Sequence, residues 1–334
     1  MKHATKRLRT LKSAVWALAV ALAGAPAHAD WVKRVTDGIM GTRIIVELWA
    51  DDPAAADAAI DAVLAQMRHI DETMSTYKPT SEVSHVNARA AAGPMRISKE
   101  LFGLLTTARE YSIITDGAFD ITYASVGYLY DFRKHVHPDE AAIAKALPAV
   151  NFRHVVLDAG NQTVRFSQPG VRIDLGGIAK GYAVDRGIEV LKARGFTRAY
   201  VGAGGDSRII GDRFGKPWMV GIRDPRKGEG EIITSIPLVD AAISTSGDYE
   251  RFFDEGGVRY HHIIDPHTGH SASKVRSATV IGPYATRTDG LSKTAFVLGP
   301  ERAMEIYNRI DDIDAIIVKL DGTVIYSKGL EPAR

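Results

Sequence analysis

The chain has 334 residues, 45% of them hydrophobic and 25% charged, with a formal charge of +2. That composition excludes a disordered, collagen-like or coiled-coil chain, and the lack of any cysteine excludes disulfides, thiolate metal sites and thiol nucleophiles. Five basic residues and no acid fall in the first 29 positions, so the remainder carries −3 and gives no reason to expect nucleic acid.

The first 29 residues read as an address. Lys2 to Lys12 is basic, Ala14 to Ala23 is an apolar run, and Ala27-His28-Ala29 follows Pro26 as a small-residue cleavage site. The run is shorter than the roughly 20 residues a bilayer span needs. The order of charge, apolar stretch and small residues is that of a cleavable secretory signal peptide. The expectation is a signal peptide over 1–29 and one domain over 30–334, exported to the periplasm with no lipid anchor.

Strand and helix patterns then alternate. Thr42 to Ala50 is β-branched and predicts a strand. Asp52-Pro53 reads as an N-cap with proline at the first helical position. Ile60, Val63, Leu64, Met67, Ile70 and Met74 follow at helical spacing, as the core face of a long helix. Ser98 caps a second helix running to Tyr111. His154 to Leu175 predicts three strands, and Ile178 to Arg194 a helix. Strands are expected at 198–201, 218–223, 232–238, 242–245, 259–265 and 278–281. Helices are expected over 288–298 and 301–308, and a hairpin around Asp321-Gly322 closes the chain.

Several segments hold more Gly, Asp, Ser, Thr and His than packing requires. In Asp174-Leu175-Gly176-Gly177-Ile178-Ala179-Lys180 a strand ends, two glycines follow and a helix begins. N–H groups at a helix start attract anions, the glycines allow close approach, and Lys180 suits phosphate. The spacing is neither of the familiar glycine-rich phosphate loops, and a tight turn with a solvated lysine explains it equally simply. Gly202-Ala203-Gly204-Gly205-Asp206 reads as a second close-approach loop or as a plain β-turn. His261 and His262 adjoin on a predicted strand and must face opposite ways, which argues against a zinc cluster with His267 and His270. One histidine facing a cleft as general base is the better reading. Asp289, near a helix start, suits the helix dipole or a hard cation.

In chain order the segments MGT, MSTYKPTSEVSHVN, DGAFDIT, IDLGGIAKGYAVD, VGAGGD, ISTSGDYERFF, HHIIDPHTG and ATRTDGLSKTAFVLG resemble the ApbE-type FAD:protein FMN transferases. The resemblance spans nearly the whole chain after residue 29. It implies a mixed α/β (α+β) fold, a single domain of two lobes resembling the tunnelling fold, with the ligand cleft between them. It implies Mg²⁺-dependent transfer of FMN from FAD onto a Thr or Ser hydroxyl of an acceptor flavoprotein, with release of AMP. The membrane enters only through the target. Flavin-binding positions carried over by resemblance are Met40, Tyr77, Ala118, Phe119, Asp120, Asp174, Lys180 and Ile264. His262 would accept the hydroxyl proton. The metal would be held by the Gly177 main-chain oxygen, by Asp289 and by the position of Lys293. Lys293 departs from the family's threonine, and an ammonium cannot ligate a cation. Either Thr294 or Ser292 takes the missing place, or Lys293 contacts phosphate directly. Alternatives to the transferase are an FAD pyrophosphatase yielding FMN and AMP, and a flavin-binding protein without turnover.

Overall fold

The structure is a computed structural model that describes residues 29–228 and 230–330. The signal-peptide expectation covers 1–29, of which 1–28 lie outside the described residues. Among those residues no helix is long and apolar enough to cross a membrane.

The chain opens with a hairpin of β1 (Asp30–Ile39) and β2 (Thr42–Ala50), then α1 (Pro53–Met74), α2 (Glu82–Arg89), β3 (Met95–Arg96) and α3 (Lys99–Ile114). Short helices α4 (Ala124–Gly127) and α5 (Glu140–Ala146) precede the hairpin β4 (Val155–Asp158)–β5 (Thr163–Phe166). Helix α6 (Ala179–Ala193) leads to β6 (Ala199–Ala203), β7 (Asp206–Ile210), β8 (Trp218–Arg223), β9 (Ile232–Leu238) and β10 (Ala242–Gly247). After β11 (Phe252–Glu255), β12 (Val258–His261) and β13 (Val275–Gly282) come α7 (Ala285–Leu291), α8 (Thr294–Leu298) and α9 (Pro300–Tyr307). The hairpin β14 (Asp314–Lys319)–β15 (Val324–Tyr326) ends the sheet.

One eight-stranded sheet, ordered β1-β2-β6-β7-β10-β13-β14-β15, carries the fold, and its neighbours all pair antiparallel. The period of two along β2 buries Ile44, Val46 and Leu48 on one face. They meet α1 and α6, where the predicted stripe from Ile60 to Met74 is buried throughout. Asp52 caps α1, its carboxylate accepting from Ala54 N at 2.9 Å. A second core under β13 and β14 packs Val280, Ile317, Phe296 and Tyr307. The opposite sheet face is covered by the β8–β9 hairpin through Trp218, Ile222 and Leu238.

Three expectations are corrected. Residues 171–175 form no strand, because side chains and loops take their backbone groups. Asn87 Nδ2 donates to Ile173 O at 2.9 Å, Ile173 N donates to Asn87 Oδ1 at 2.8 Å, and Asp174 N donates to Ile121 O at 2.9 Å. The helix predicted over 288–298 breaks between α7 and α8. The Asp289 carbonyl, which a continuous helix would bond to Lys293 N, accepts instead from the Ser292 hydroxyl and the Lys293 ammonium, both at 2.8 Å. The strand expected over 259–265 stops at His261, followed by an isolated Ile264–Ser271 bridge. Within Gly202 to Asp206, Gly204-Gly205 is the turn joining β6 to β7, with Gly204 in the left-handed region at φ +61°.

Helices α6 and α7 pack face to face. A Cβ on Gly181 would lie 2.1 Å from Ala285 O, so only glycine permits this approach. Asp185 on α6 holds the start of α7. Its carboxylate accepts from Ala285 N (2.9 Å), Thr286 N (2.8 Å) and the Thr286 hydroxyl (2.6 Å), and pairs with Arg208 at 3.0 Å. Asp185→Ala strands a buried guanidinium and two peptide N–H groups. It is expected to cost about 3–5 kcal/mol in denaturant unfolding; a loss under about 1 kcal/mol would show that this anchor is dispensable.

Candidate active site

The turn between residue 173 and α6 builds one wall. Asp174 Oδ1 accepts from Gly176 N at 2.7 Å and from the Tyr123 hydroxyl at 3.1 Å, and Oδ2 accepts from the Thr76 hydroxyl at 2.7 Å. Asp174 therefore ties three chain segments to the corner. No side chain of its own caps α6. Asp289, fully buried on α7, supplies the missing acceptor, its Oδ2 receiving Gly181 N at 3.0 Å.

Two ammoniums meet that carboxylate. Lys180 Nζ pairs with Asp206 Oδ2 and lies 3.8 Å from Asp289 Oδ2. Lys293 Nζ donates to Gly177 O at 3.2 Å, to Asp289 O at 2.8 Å and to Asp289 Oδ1. Burial opposes ionisation of Asp289, but Lys180, Lys293 and the Gly181 N–H outweigh it and hold the carboxyl below its ordinary range. Burial likewise opposes the charge of Lys180, yet Asp206 and Asp289 raise it above an ordinary lysine. Burial and the adjacent Asp289 push the Asp206 carboxyl up against the pull of Lys180.

His262 stands beside this corner. Its N–H donates to Arg251 O at 3.1 Å, and its buried Nδ1 has no hydrogen-bond partner. Burial, then His261, Arg251 and the two lysines, lower its pKa to about 3, so the ring is neutral at pH 7. His261 faces the other way into the second core, edge-on to Phe296 at 5.9 Å. His267 pairs with Asp265 at 3.1 Å and His270 with Glu140 at 3.5 Å, so the histidine run disperses.

The expected flavin-binding positions divide. Tyr77 is 83% exposed, and Met40, part-buried, is at the tip of the β1–β2 turn at φ +54°. Phe119 lines the corner, its ring 3.3 Å from where a Cβ on Gly177 would sit. Asp120 is buried and accepts from Thr122 N (2.7 Å), the Thr122 hydroxyl (2.6 Å) and Phe152 N (2.7 Å). It thereby fixes the loop that carries Phe119. Ala118 belongs to the second core and Ile264 to a small cluster with Val126, Tyr130 and Ile143. Thr294 is fully buried beside the Tyr307 phenol, its Oγ1 without a hydrogen-bond partner, and the Ser292 hydroxyl bonds Ser246 Oγ at 2.7 Å and Asp289 O. Neither hydroxyl bonds Gly177 O or the Asp289 carboxylate.

Sequence reasoning missed Arg251, Asp206 and Asp185 as site builders. Arg251 Nη2 would lie 3.4 Å from a Cβ on Gly41, and its charge acts on Tyr123, Lys180 and His262. It sits within a quoted motif run but carries no mark of its own there. A separate groove of about 850 Å³ opens beside α3, α6 and α7, lined by Lys99, Tyr111, Tyr182, Arg186, Tyr284 and Arg287. Lys180, His262, Asp289 and Lys293 do not line it, so its size does not mark the chemistry.

The chain matches the ApbE family over residues 40–317. It is 33% identical over 310 residues to the FAD:protein FMN transferase of Treponema pallidum, covering 87% of this chain and 86% of that one. To the FAD:protein FMN transferase of Vibrio cholerae it is 32% identical over 321 residues, covering 92% and 94%. Its fold superposes on the crystal structure of the ApbE protein from Thermotoga maritima with a TM-score of 0.83 at 33% identity, covering 90% of this chain and 98% of that one. The flavin transferase ApbE from Vibrio cholerae gives a TM-score of 0.81 at 27% identity, covering 92% and 100%. Matched over residues 40–317 and sharing the fold of solved relatives, this chain belongs to the ApbE family.

Proposed function

We propose that the chain transfers FMN from FAD to a Thr or Ser hydroxyl of an acceptor protein, releasing AMP. The observation that carries the reading is the convergence of Lys180, Arg251 and Lys293 with a neutral His262 at the Gly176–Lys180 corner. A diphosphate carries concentrated negative charge, and fixed cations both position it and stabilise charge developing on the departing phosphate. The acceptor oxygen bonds to the FMN-side phosphorus as the bond from that phosphorus to the bridging oxygen breaks. AMP leaves with the bridging oxygen, and the hydroxyl proton passes to His262. Tyr77, Met40 and Phe119 supply apolar surfaces for a flavin or adenine ring. Asp120 and Asp174 hold the loops that present them, while Ala118 and Ile264 pack beneath.

The magnesium ion implied by the resemblance finds no fitting seat, because an ammonium already occupies the oxygens of Gly177 and Asp289. No step is assigned to it. The N-terminal segment supports export, and we place the reaction in the periplasm, on a flavin-carrying target protein.

Incubating the chain with FAD and a candidate acceptor flavoprotein tests the reading by mass spectrometry. FMN attached to a Thr or Ser of the acceptor is the expected result; free FMN with AMP would make it a pyrophosphatase, and intact FAD a binding protein. His262→Ala is expected to slow transfer about 10²–10⁴-fold while FAD affinity, read by flavin fluorescence, stays within about threefold. Equal losses of both would assign His262 a structural role. Because the neutral ring is the active form and its pKa is held near 3, kcat/KM for FAD should stay flat as pH falls through 6.5. An acid limb centred there would mean that His262 titrates as an ordinary histidine.

A further inference from the structure

The position that the family resemblance gives to a metal ligand is taken here by Lys293, and the structure shows what its side chain does. Its three N–H donors meet three acceptors: Gly177 O, Asp289 O and Asp289 Oδ1. Two of the three, Gly177 O and Asp289 Oδ1, belong to groups a divalent ion would need. Magnesium requires oxygen ligands at about 2.0–2.1 Å in near-octahedral array, and an ammonium bonded to those oxygens stands where the ion would be.

The neighbours offer no second seat. The Ser292 hydroxyl is spent on Ser246 Oγ and Asp289 O, and the buried Thr294 hydroxyl, which has no hydrogen-bond partner, bonds neither Gly177 O nor the Asp289 carboxylate. Charge points the same way. Asp206 and Asp289 face Lys180 and Lys293, so two carboxyls are matched by two ammoniums. Any proton on Asp206 only makes the corner more positive. Replacing Lys293 by a neutral residue would leave two buried carboxyls facing the single ammonium of Lys180, which is a cation site in the making.

We infer that the Lys293 ammonium is a built-in replacement for the divalent ion, so that this chain binds the diphosphate of its substrate without metal. The inference rests on the proposed FAD reading for the identity of the diphosphate, but not for the occupancy of the cation position. Lys293 acts as a positioning residue. Its donors are spent on Gly177 and Asp289, so it contributes a fixed positive charge and closes the corner, and Lys180 and Arg251 are left to touch phosphate.

Mn²⁺ uptake followed by electron paramagnetic resonance, with FAD binding followed by flavin fluorescence, tests this on wild type and Lys293→Thr. Wild type is expected to take up no stoichiometric Mn²⁺ with or without FAD, and to bind FAD within about twofold in chelator and in magnesium. Lys293→Thr is expected to gain about one Mn²⁺ per chain and to bind FAD at least about tenfold more weakly in chelator, with magnesium restoring it. One Mn²⁺ per chain in wild type, FAD binding by wild type that collapses in chelator, or a folded Lys293→Thr that takes up none would each overturn the inference. Should Lys293→Thr not fold, the wild-type measurements decide alone. If wild type binds no FAD under any condition, the proposed function fails, while Mn²⁺ uptake still judges the role of Lys293.

Discussion

A single buried carboxylate organises this molecule. Asp289 sits fully buried on α7, caps the otherwise uncapped start of α6 through Gly181 N, and faces the ammoniums of Lys180 and Lys293. An isolated buried carboxylate would be prohibitively costly, and here each oxygen has a donor or a cation. The arrangement works only because α6 and α7 approach within the space that Gly181 leaves free. Packing between the two helices and the electrostatics of the site are therefore one constraint.

From that constraint the chemistry follows outward. The corner at Gly176–Gly177 is held by Asp174, which gathers Thr76, Tyr123 and Gly176 N onto one side chain. Arg251 reaches in from the segment before β11, and His262 stands neutral beside it because three cations and burial resist its protonation. On the proposed function, a phosphate arriving there would meet cations already positioned, and an imidazole already in the form that accepts a proton. The family's relatives carry the name FAD:protein FMN transferase.

What the sequence made legible was local. The apolar stripe of α1 and its Asp52 cap, the strand at β2 and the opposed faces of His261 and His262 follow from periodicity and short-range bonding. What it did not show depends on partners far along the chain. Residues 171–175 look like a strand until Asn87 and Ile121 take their peptide groups. The break between α7 and α8 is local, a side-chain ammonium and a hydroxyl competing for the Asp289 carbonyl, but the ammonium is drawn there also by Gly177 O, 116 residues away. Asp185, Asp206 and Arg251 read as ordinary charged residues until the fold brings them to α7, to Lys180 and to Gly41. The unusual Lys293 was visible as a departure from the family pattern, but its three oxygen partners were not.

On the proposed function, a dinucleotide's bridging phosphates rest against the corner that Asp289 stabilises. A crystal structure of the chain with FAD tests this most directly. It should place the diphosphate beside Gly176–Lys180 within reach of Lys180 and Arg251, with Lys293 still bonded to Gly177 O and Asp289. Density for FAD in the separate groove beside Tyr111, Tyr182 and Arg287, with the corner unchanged, would contradict it.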